Sequence, residues 1–299
     1  MSNDQIYVIT GATGWIGREC LEYLITNGVP KENIYLFASR QQTLDMPFGS
    51  FAVASLDKMA DYVFKSPMVF HFAYLTRDKV NILGRQVYTD TCLSITSMMM
   101  TALKSWPHAT LCYASSGAVY DGQFKRDYYI KNPYGFLKYM DECSFKEFCH
   151  AGGNRIIIPR IFNISGCYTQ NRSQYALTSF IDQAKETGVI HIKAKHKVIR
   201  SYIMARQLID ICFKWMHDQK GSSFECFDAC SDEAVEIGQI AESVQRSCSH
   251  VVHIKREIDD SLESDVYLGN AGAIFDLCVK YVVALLPLDL QIKSLINDF

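Results

Sequence analysis

The stretch Ile6-Tyr7-Val8-Ile9-Thr10-Gly11-Ala12-Thr13-Gly14-Trp15-Ile16-Gly17 constrains the fold more than any other part of this 299-residue chain. Ile6 to Ile9 is a short apolar run rich in β-branched residues, the pattern of a strand buried on both faces. It leads into three glycines spaced Gly11-x-x-Gly14-x-x-Gly17, and then into Arg18–Ile25, whose apolar residues recur at helical spacing. Strand, glycine turn and helix in that order make the first unit of a dinucleotide-binding α/β fold. The three glycines differ in purpose. Gly11 permits a sharp turn, Gly14 lets backbone approach a pyrophosphate closely, and Gly17 lets helix pack close to strand. The backbone from Gly11 through Thr13, Gly14, Trp15, Ile16 and Gly17 is therefore expected to face the cofactor, with the free N–H groups of the helix start turned to its phosphates.

Further strands are expected at 33–38, 51–55, 68–73 and 110–114, with a helix between Val87 and Lys104. The alternation carries no internal repeat, low-complexity tract or Pro/Ser linker, so it predicts one doubly wound parallel sheet rather than a string of small domains. The second strand ends in Ser39-Arg40. An acidic residue at that place would bond a free ribose 2′-OH, whereas a hydroxyl and an arginine suit a 2′-phosphate. Arg40 thus favours NADP over NAD, unless it is simply a solvated loop residue. Phe72 and Ala73, at the end of the fourth strand, are expected where backbone passes the cofactor. His71 beside them reads as a packed strand-end histidine, and Met98-Met99-Met100 as core filling.

The fifth strand leads into Ser115-Ser116-Gly117-Ala118-Val119-Tyr120, and Tyr134-Gly135-Phe136-Leu137-Lys138 follows. Pro133 suits the first position of a helix. Tyr134 and Lys138, four apart, then share one helical face. An ammonium beside a phenol favours the phenolate and draws its pKa towards neutrality. Such a Tyr134 can give or take a proton at an alcohol or ketone oxygen while a nicotinamide exchanges the hydride. Ser116, at a neighbouring strand end, would hold the same oxygen. Tyr-x-x-x-Lys alone is a common spacing; the glycine turn and the Ser pair in this order give it meaning.

At these residues the chain resembles the extended short-chain dehydrogenase/reductases, a family of NAD(P)-dependent nucleotide-sugar epimerases, dehydratases and reductases. Thr10–Gly17 is similar to the family's N-terminal fingerprint, Ser115–Tyr120 to its Ser/Thr motif, and Tyr134 with Lys138 to its catalytic pair. Arg160–Gly166 resembles the strand and turn that enter the substrate lobe, and Arg200-Ser201-Tyr202-Ile203 a later Arg-x-aromatic segment. The resemblance covers about residues 5 to 245. It implies that Ser116, Tyr134 and Lys138 are catalytic, with Lys138 also holding the nicotinamide ribose. It further implies that Asn163 and Arg200 bind substrate near its diphosphate. From the residues alone, Asn163 fits a turn equally well. The preceding run Lys193-Ala194-Lys195-His196-Lys197 reads on its own as a solvated hairpin. Relatives pair through the helix bearing the Tyr and Lys, which implies a homodimer.

Departures narrow the choice. The Asp-Glu pair that sugar 4,6-dehydratases carry after the Ser/Thr is replaced by Gly117-Ala118. The Cys of the fucose-synthase type is absent at Gly117. The 4-epimerases end the second strand with an acid, where this chain has Ser39-Arg40. No arginine stands in Tyr267–Ala273, where several relatives place a second phosphate ligand, which weakens the grip on a diphosphate.

Composition supplies the exclusions. Thirty Lys and Arg against 32 Asp and Glu give a formal net charge of −2, so no field for nucleic acid is built in. Eleven cysteines include no C-x-x-C pair and are expected to be reduced, mostly buried thiols with no metal site. The N-terminus lacks the basic start of a leader, and the run Tyr281–Leu288 is too short to span a membrane. A cytoplasmic protein is expected. The expected layout is a cofactor domain of 1–164 plus 205–230 and a substrate lobe of 165–204 plus 231–299. The expected function is NADP-linked reduction of a keto group, at C4, of a nucleotide-activated sugar. The alternative is a 4-epimerase that retains NAD. A nucleotide sensor on the same fold would have no need of Ser116, Tyr134 and Lys138 together.

Overall fold

The structure, a computed structural model, describes residues 4–122 and 125–297. The chain divides into two compact units, Met1–Ile161 with Ile209–Phe227, and Phe162–Leu208 with Asp228–Phe299.

The first unit is built on one large sheet. Its strands begin with β1 (Tyr7–Thr10), β2 (Ile34–Ala38), β3 (Gln42–Met46), β4 (Gly49–Ser55) and β5 (Met68–His71). They continue with β6 (Thr110–Tyr113), the two-residue β7 (Ser115–Ser116) and β8 (Arg155–Ile161). The order across the sheet is β3-β4-β2-β1-β5-β6-β8, followed by the strand Phe224–Ala229, with β7 also paired to β8. The pairings from β4 through β8 are all parallel. Taken in chain order, the six main parallel strands therefore lie 3-2-1-4-5-6, the doubly wound Rossmann order. The chain reverses direction of progress between β1 and β5, which opens a crevice beyond their C-terminal ends. The expected return of Phe224–Phe227 to this sheet is found. The antiparallel edge strand β3 is an addition: only Leu44 and Met46 of its five residues are buried, so its polar alternation fits an edge.

Five helices of this unit matter here: α1 (Trp15–Thr26), α2 (Lys79–Leu83), α3 (Arg85–Lys104), α4 (Tyr128–Lys131) and α5 (Pro133–Ala151). Four residues of β1 and four of β6 are all buried, as a strand covered on both faces requires. Met99, Trp106, Leu111, Phe145 and Ile156 form the heart of the core. Met99 is fully buried and Met98 and Met100 pack at its margin, so the triple Met is core filling as expected.

The second unit has its own core of Leu177, Phe180, Ile181, Ile190, Ile240, Val244 and Ile292. The basic run Lys193–Lys197 is not a hairpin. The strands on either side of it, Val189–Ile192 and Val198–Arg200, pair with His253–Arg256 and with Asp265–Tyr267. Among the described residues no helix is long and apolar enough to cross a membrane, and no cluster of three or more His, Cys, Asp or Glu could hold a metal ion. All eleven cysteines are free, seven of them buried.

Candidate active site

The glycine turn closes directly on the crevice. Gly11 has φ +68°, a conformation that penalises any residue with a Cβ. A Cβ there would stand 2.7 Å from the backbone of Phe72 and of Ala73. A Cβ on Gly17 would stand 2.3 Å from the Gly11 carbonyl oxygen and 2.7 Å from the Cα of Ala12. Gly14 differs, since its only near neighbour would be the Gly11 oxygen at 3.2 Å. Gly11 and Gly17 are thus demanded by packing within the protein, and Gly14 leaves backbone bare on the side away from it. Gly14 also caps α1 with no side chain, and no acidic residue lies in the first turn. The first N–H groups of α1 and its positive dipole end are left for an anion, which fits a dinucleotide pyrophosphate. Thr13, Trp15 and Ile16 are half-buried around this turn. Arg18 steadies it by donating from Nε to the Thr13 carbonyl oxygen at 3.1 Å. Ser39 and Arg40 end β2 in exposed positions. Among the described residues the Arg40 guanidinium makes no ion pair.

Thr10 and His71 tie the two strands of the crevice together. Thr10 Oγ1 and His71 Nδ1 lie 2.6 Å apart, and Ala73 N–H donates to the same Thr10 oxygen at 3.3 Å. His71 is 1% exposed. Burial, with the Lys138 charge second, pushes its pKa down to about 3, so the ring is neutral near pH 7. It is the packed strand-end histidine expected from sequence, its ring stacked on Tyr113 at 5.8 Å.

Ser116, Tyr134 and Lys138 come from β7 and α5, which pack together at the C-terminal end of the sheet. Ser116 is buried and caps the one-turn helix Gly117–Tyr120, its Oγ accepting from Ala118 N–H at 3.2 Å. Asn132 caps α5: its Oδ1 accepts from Gly135 N–H at 2.9 Å while its Nδ2 donates to the Ala118 carbonyl oxygen at 2.9 Å. One side chain therefore fixes the start of α5 onto the turn that follows Ser116. Pro133 occupies the first helical position, as expected. Tyr134 is half-buried, with its ring edge-to-face against Tyr74 at 6.1 Å. Lys138 is buried and donates from Nζ to the Ala114 carbonyl oxygen, the residue between β6 and β7, at 2.6 Å. Its ammonium lies 3.6 Å from the Tyr74 ring centre and 4.7 Å from that of Tyr113. Burial pushes the Lys138 pKa down to about 8, and Asp141 leads the groups that pull it back up.

A partly buried charge pair supports this edge, and sequence reasoning missed it. Arg160 on β8 grips Glu142 on α5 with a fork, Nε to Oε1 at 3.0 Å and Nη2 to Oε2 at 2.6 Å. Ser115 Oγ donates to the same carboxylate, and Arg160 Nη1 donates to Tyr120 Oη at 2.6 Å. Both residues that bracket the Ser116 turn are thus held. The available signal was the helical face itself: Tyr134, Lys138, Asp141 or Glu142, and Phe145 follow one stripe of α5.

The two remaining predicted residues belong to the second unit. Asn163 Nδ2 donates to the Ser201 carbonyl oxygen at 3.1 Å, tying two segments 38 residues apart. Arg200 is engaged by Asp265, Nη2 to Oδ2 at 2.7 Å, and lies 5.8 Å from the Tyr267 ring centre.

Comparison with known proteins bears on family and fold. Residues 7–228 match the model of the NAD dependent epimerase/dehydratase family. A UDP-glucose 4-epimerase of Mycoplasma genitalium is 26% identical over 189 residues, 54% of this chain and 54% of the relative. The chain thus aligns with about half the length of that curated relative. Among solved structures, a Brucella ovis UDP-glucose 4-epimerase in complex with NAD has a TM-score of 0.73 at 17% identity, covering 97% of this chain and 96% of that one. A Thermotoga maritima UDP-glucose 4-epimerase with UDP-glucose has a TM-score of 0.70 at 14% identity, covering 99% and 98%. An NAD-dependent NDP-hexosamine 5,6-dehydratase of tunicamycin biosynthesis has a TM-score of 0.74 at 13% identity, covering 98% and 97%. At these identities the structural likeness is one of fold. The family match spans the glycine turn, Ser116, Tyr134, Lys138 and Arg160, and on it the chain belongs to the NAD dependent epimerase/dehydratase family of short-chain dehydrogenase/reductase enzymes.

Proposed function

We propose that the chain is an NADP(H)-linked oxidoreductase that reduces a keto group, at C4, of a nucleotide-activated sugar. What supports the reading is that α5, which carries Tyr134 and Lys138, is seated on the turn that follows Ser116, with Lys138 donating to the Ala114 carbonyl oxygen just before β7. Bound there, the nicotinamide would supply the hydride. Ser116 Oγ would hold the reacting oxygen. Tyr134 would protonate it, and the Lys138 ammonium would favour the phenolate that remains. The exposed Arg40 at the end of β2 supports NADP, because its guanidinium is open to a 2′-phosphate. Gly11, Thr13, Gly14, Trp15, Ile16, Gly17, Ser39, Phe72 and Ala73 would complete the cofactor site. Asn163 and Arg200 would meet the substrate, Arg200 by exchanging Asp265 for a phosphate. We also infer the layout 1–164 plus 205–230 for cofactor and 165–204 plus 231–299 for substrate, and a cytoplasmic homodimer. Exposed Val87 and Leu93 on α3 and Met140 on α5 support pairing through these helices.

A second reading has its own support. The curated relative is a UDP-glucose 4-epimerase, and the Brucella ovis structure contains NAD. A 4-epimerase would use the same three residues in both directions and keep its NAD. Denaturing freshly purified protein and identifying the nucleotide released separates the two. An empty protein that binds NADPH far more tightly than NADH supports the reductase. Near-stoichiometric NAD supports the epimerase and overturns the NADP assignment.

A further inference from the structure

Lys138 is buried with its charge, yet among the described residues its hydrogen bond goes to a neutral acceptor, the Ala114 carbonyl oxygen, and two aromatic rings cover the rest. No carboxylate among the described residues touches it. A lone ammonium in such a place is expensive unless a counter-charge lies near. One turn further along α5, at i+3, stands Asp141, itself 3% exposed. Its two oxygens accept from two hydroxyls: Thr96 Oγ1 on α3 donates to Oδ1 at 2.9 Å, and Tyr113 Oη on β6 donates to Oδ2 at 3.0 Å. Thr96 Oγ1 also lies 3.2 Å from the Cys92 carbonyl oxygen, and its single hydrogen serves one of the two acceptors, so Tyr113 is the donor committed to the carboxylate.

We propose that Asp141 is a positioning residue for the proton-transfer pair: its buried carboxylate, held by Thr96 and Tyr113, keeps the Lys138 ammonium charged at neutral pH. The inference rests on the reading of Lys138 as the partner of Tyr134. The other titratable neighbours cannot serve as the counter-charge. From β5 and the loop after it come His71, which is neutral, and Tyr74, whose ionisation burial strongly opposes. From α3 come Tyr88 and Cys92, both pushed up by burial. From β6 comes Tyr113, pushed well up by burial. On α5, Tyr134 is the group to be served, and Glu142 is committed to Arg160. Asp141 is left. Burial raises its own pKa, and Lys138, Thr96, Tyr113 and Tyr74 pull it back. In the apolar interior a charge acts beyond contact distance. Lys138 at about 8 is a balance in which burial lowers and Asp141 raises. Without the carboxylate, the ammonium would release its proton at a lower pH, and Tyr134 would lose the charge that favours its phenolate.

The test is a pH titration of the full chain labelled at lysine 13Cε, the Lys138 resonance being identified by its loss in Lys138→Met. Asp141→Asn keeps the shape and removes the charge, and should lower the Lys138 midpoint by about one pH unit or more. Should that variant fail to fold, the triple variant Thr96→Val/Tyr113→Phe/Asp141→Leu replaces the carboxylate together with the Thr96 and Tyr113 hydroxyls bonded to it. The same downward movement is expected there. A midpoint that stays at the wild-type value in the folded variant overturns the proposal. The readout needs neither cofactor nor substrate. A wild type with no turnover would count against the functional reading, whereas an unmoved Lys138 would count against Asp141.

Discussion

The carbonyl oxygen of Ala118 lies 2.1 Å from the point where a side chain on Gly135 would place its Cβ. The first turn of α5, which carries Tyr134, is seated on the turn that follows Ser116 more closely than any residue but glycine allows. In an open helix, replacing Gly by Ala gains about 1 kcal/mol. Here the clash is with backbone, which cannot swing aside, so overpacking wins. Gly135→Ala should therefore destabilise the chain by ~2 kcal/mol in urea unfolding. It should also lower turnover by about 100-fold as Tyr134 is displaced from Ser116.

Glu142→Gln tests the buried support of the same edge. The substitution leaves the Arg160 guanidinium, 21% exposed, facing an amide where it had a carboxylate. Breaking one partner of a buried pair costs about 3 kcal/mol. Chemical denaturation should register that loss. Restoring the carboxylate a methylene shorter, as Glu142→Asp, should recover only part of it, because the two-point fork depends on reach.

His71 makes stability depend on acid. Its pKa is about 3 in the folded chain and near 6.5 when unfolded. Between those values the unfolded chain holds a proton that the folded chain lacks, so stability is intact above the upper value and falls as pH drops towards the lower one. The slope approaches ~1.4 kcal/mol per pH unit. Unfolding free energies measured at successive pH values should follow it. His71→Asn, which keeps an acceptor near Thr10 but does not titrate, should flatten this part of the curve.

Arg40→Ala addresses cofactor choice. If its exposed guanidinium pairs with a 2′-phosphate as proposed, removing it should weaken NADPH binding by about tenfold or more and leave NADH binding unchanged. Fluorescence titration with each nucleotide measures both. Gly11→Ala should abolish binding of either, since its Cβ would meet the Phe72–Ala73 backbone at 2.7 Å in a left-handed conformation.

The parts of this fold that repeat a local rule are legible in the sequence. β1, its glycine turn and α1 stand out because strand, turn and helix each have a distinct residue pattern. Ser116, Tyr134 and Lys138 can be picked out because their spacing encodes a shared helical face and a strand end. The edge strand β3 cannot, because its alternating polar pattern matches exposed loop as well as edge strand. Arg160 and Glu142 escape for another reason: 18 residues separate them in sequence, and only the packing of α5 against β8 brings them together. Asp141 carries no local signal, since the hydroxyls that close over it come from Thr96, 45 residues away, and Tyr113, 28 residues away.

If Tyr134 transfers the proton while a nicotinamide exchanges a hydride with a nucleotide sugar, removing its hydroxyl must stop the reaction and spare cofactor binding. The most direct measurement incubates wild type and Tyr134→Phe with a nucleotide-activated 4-keto-sugar and NADPH, following NADPH consumption by absorbance and formation of the C4 alcohol by NMR. Turnover is expected in the wild type, with a fall of about 100- to 10,000-fold in Tyr134→Phe and dinucleotide affinity unchanged. Turnover in Tyr134→Phe equal to that of the wild type would contradict this role for Tyr134.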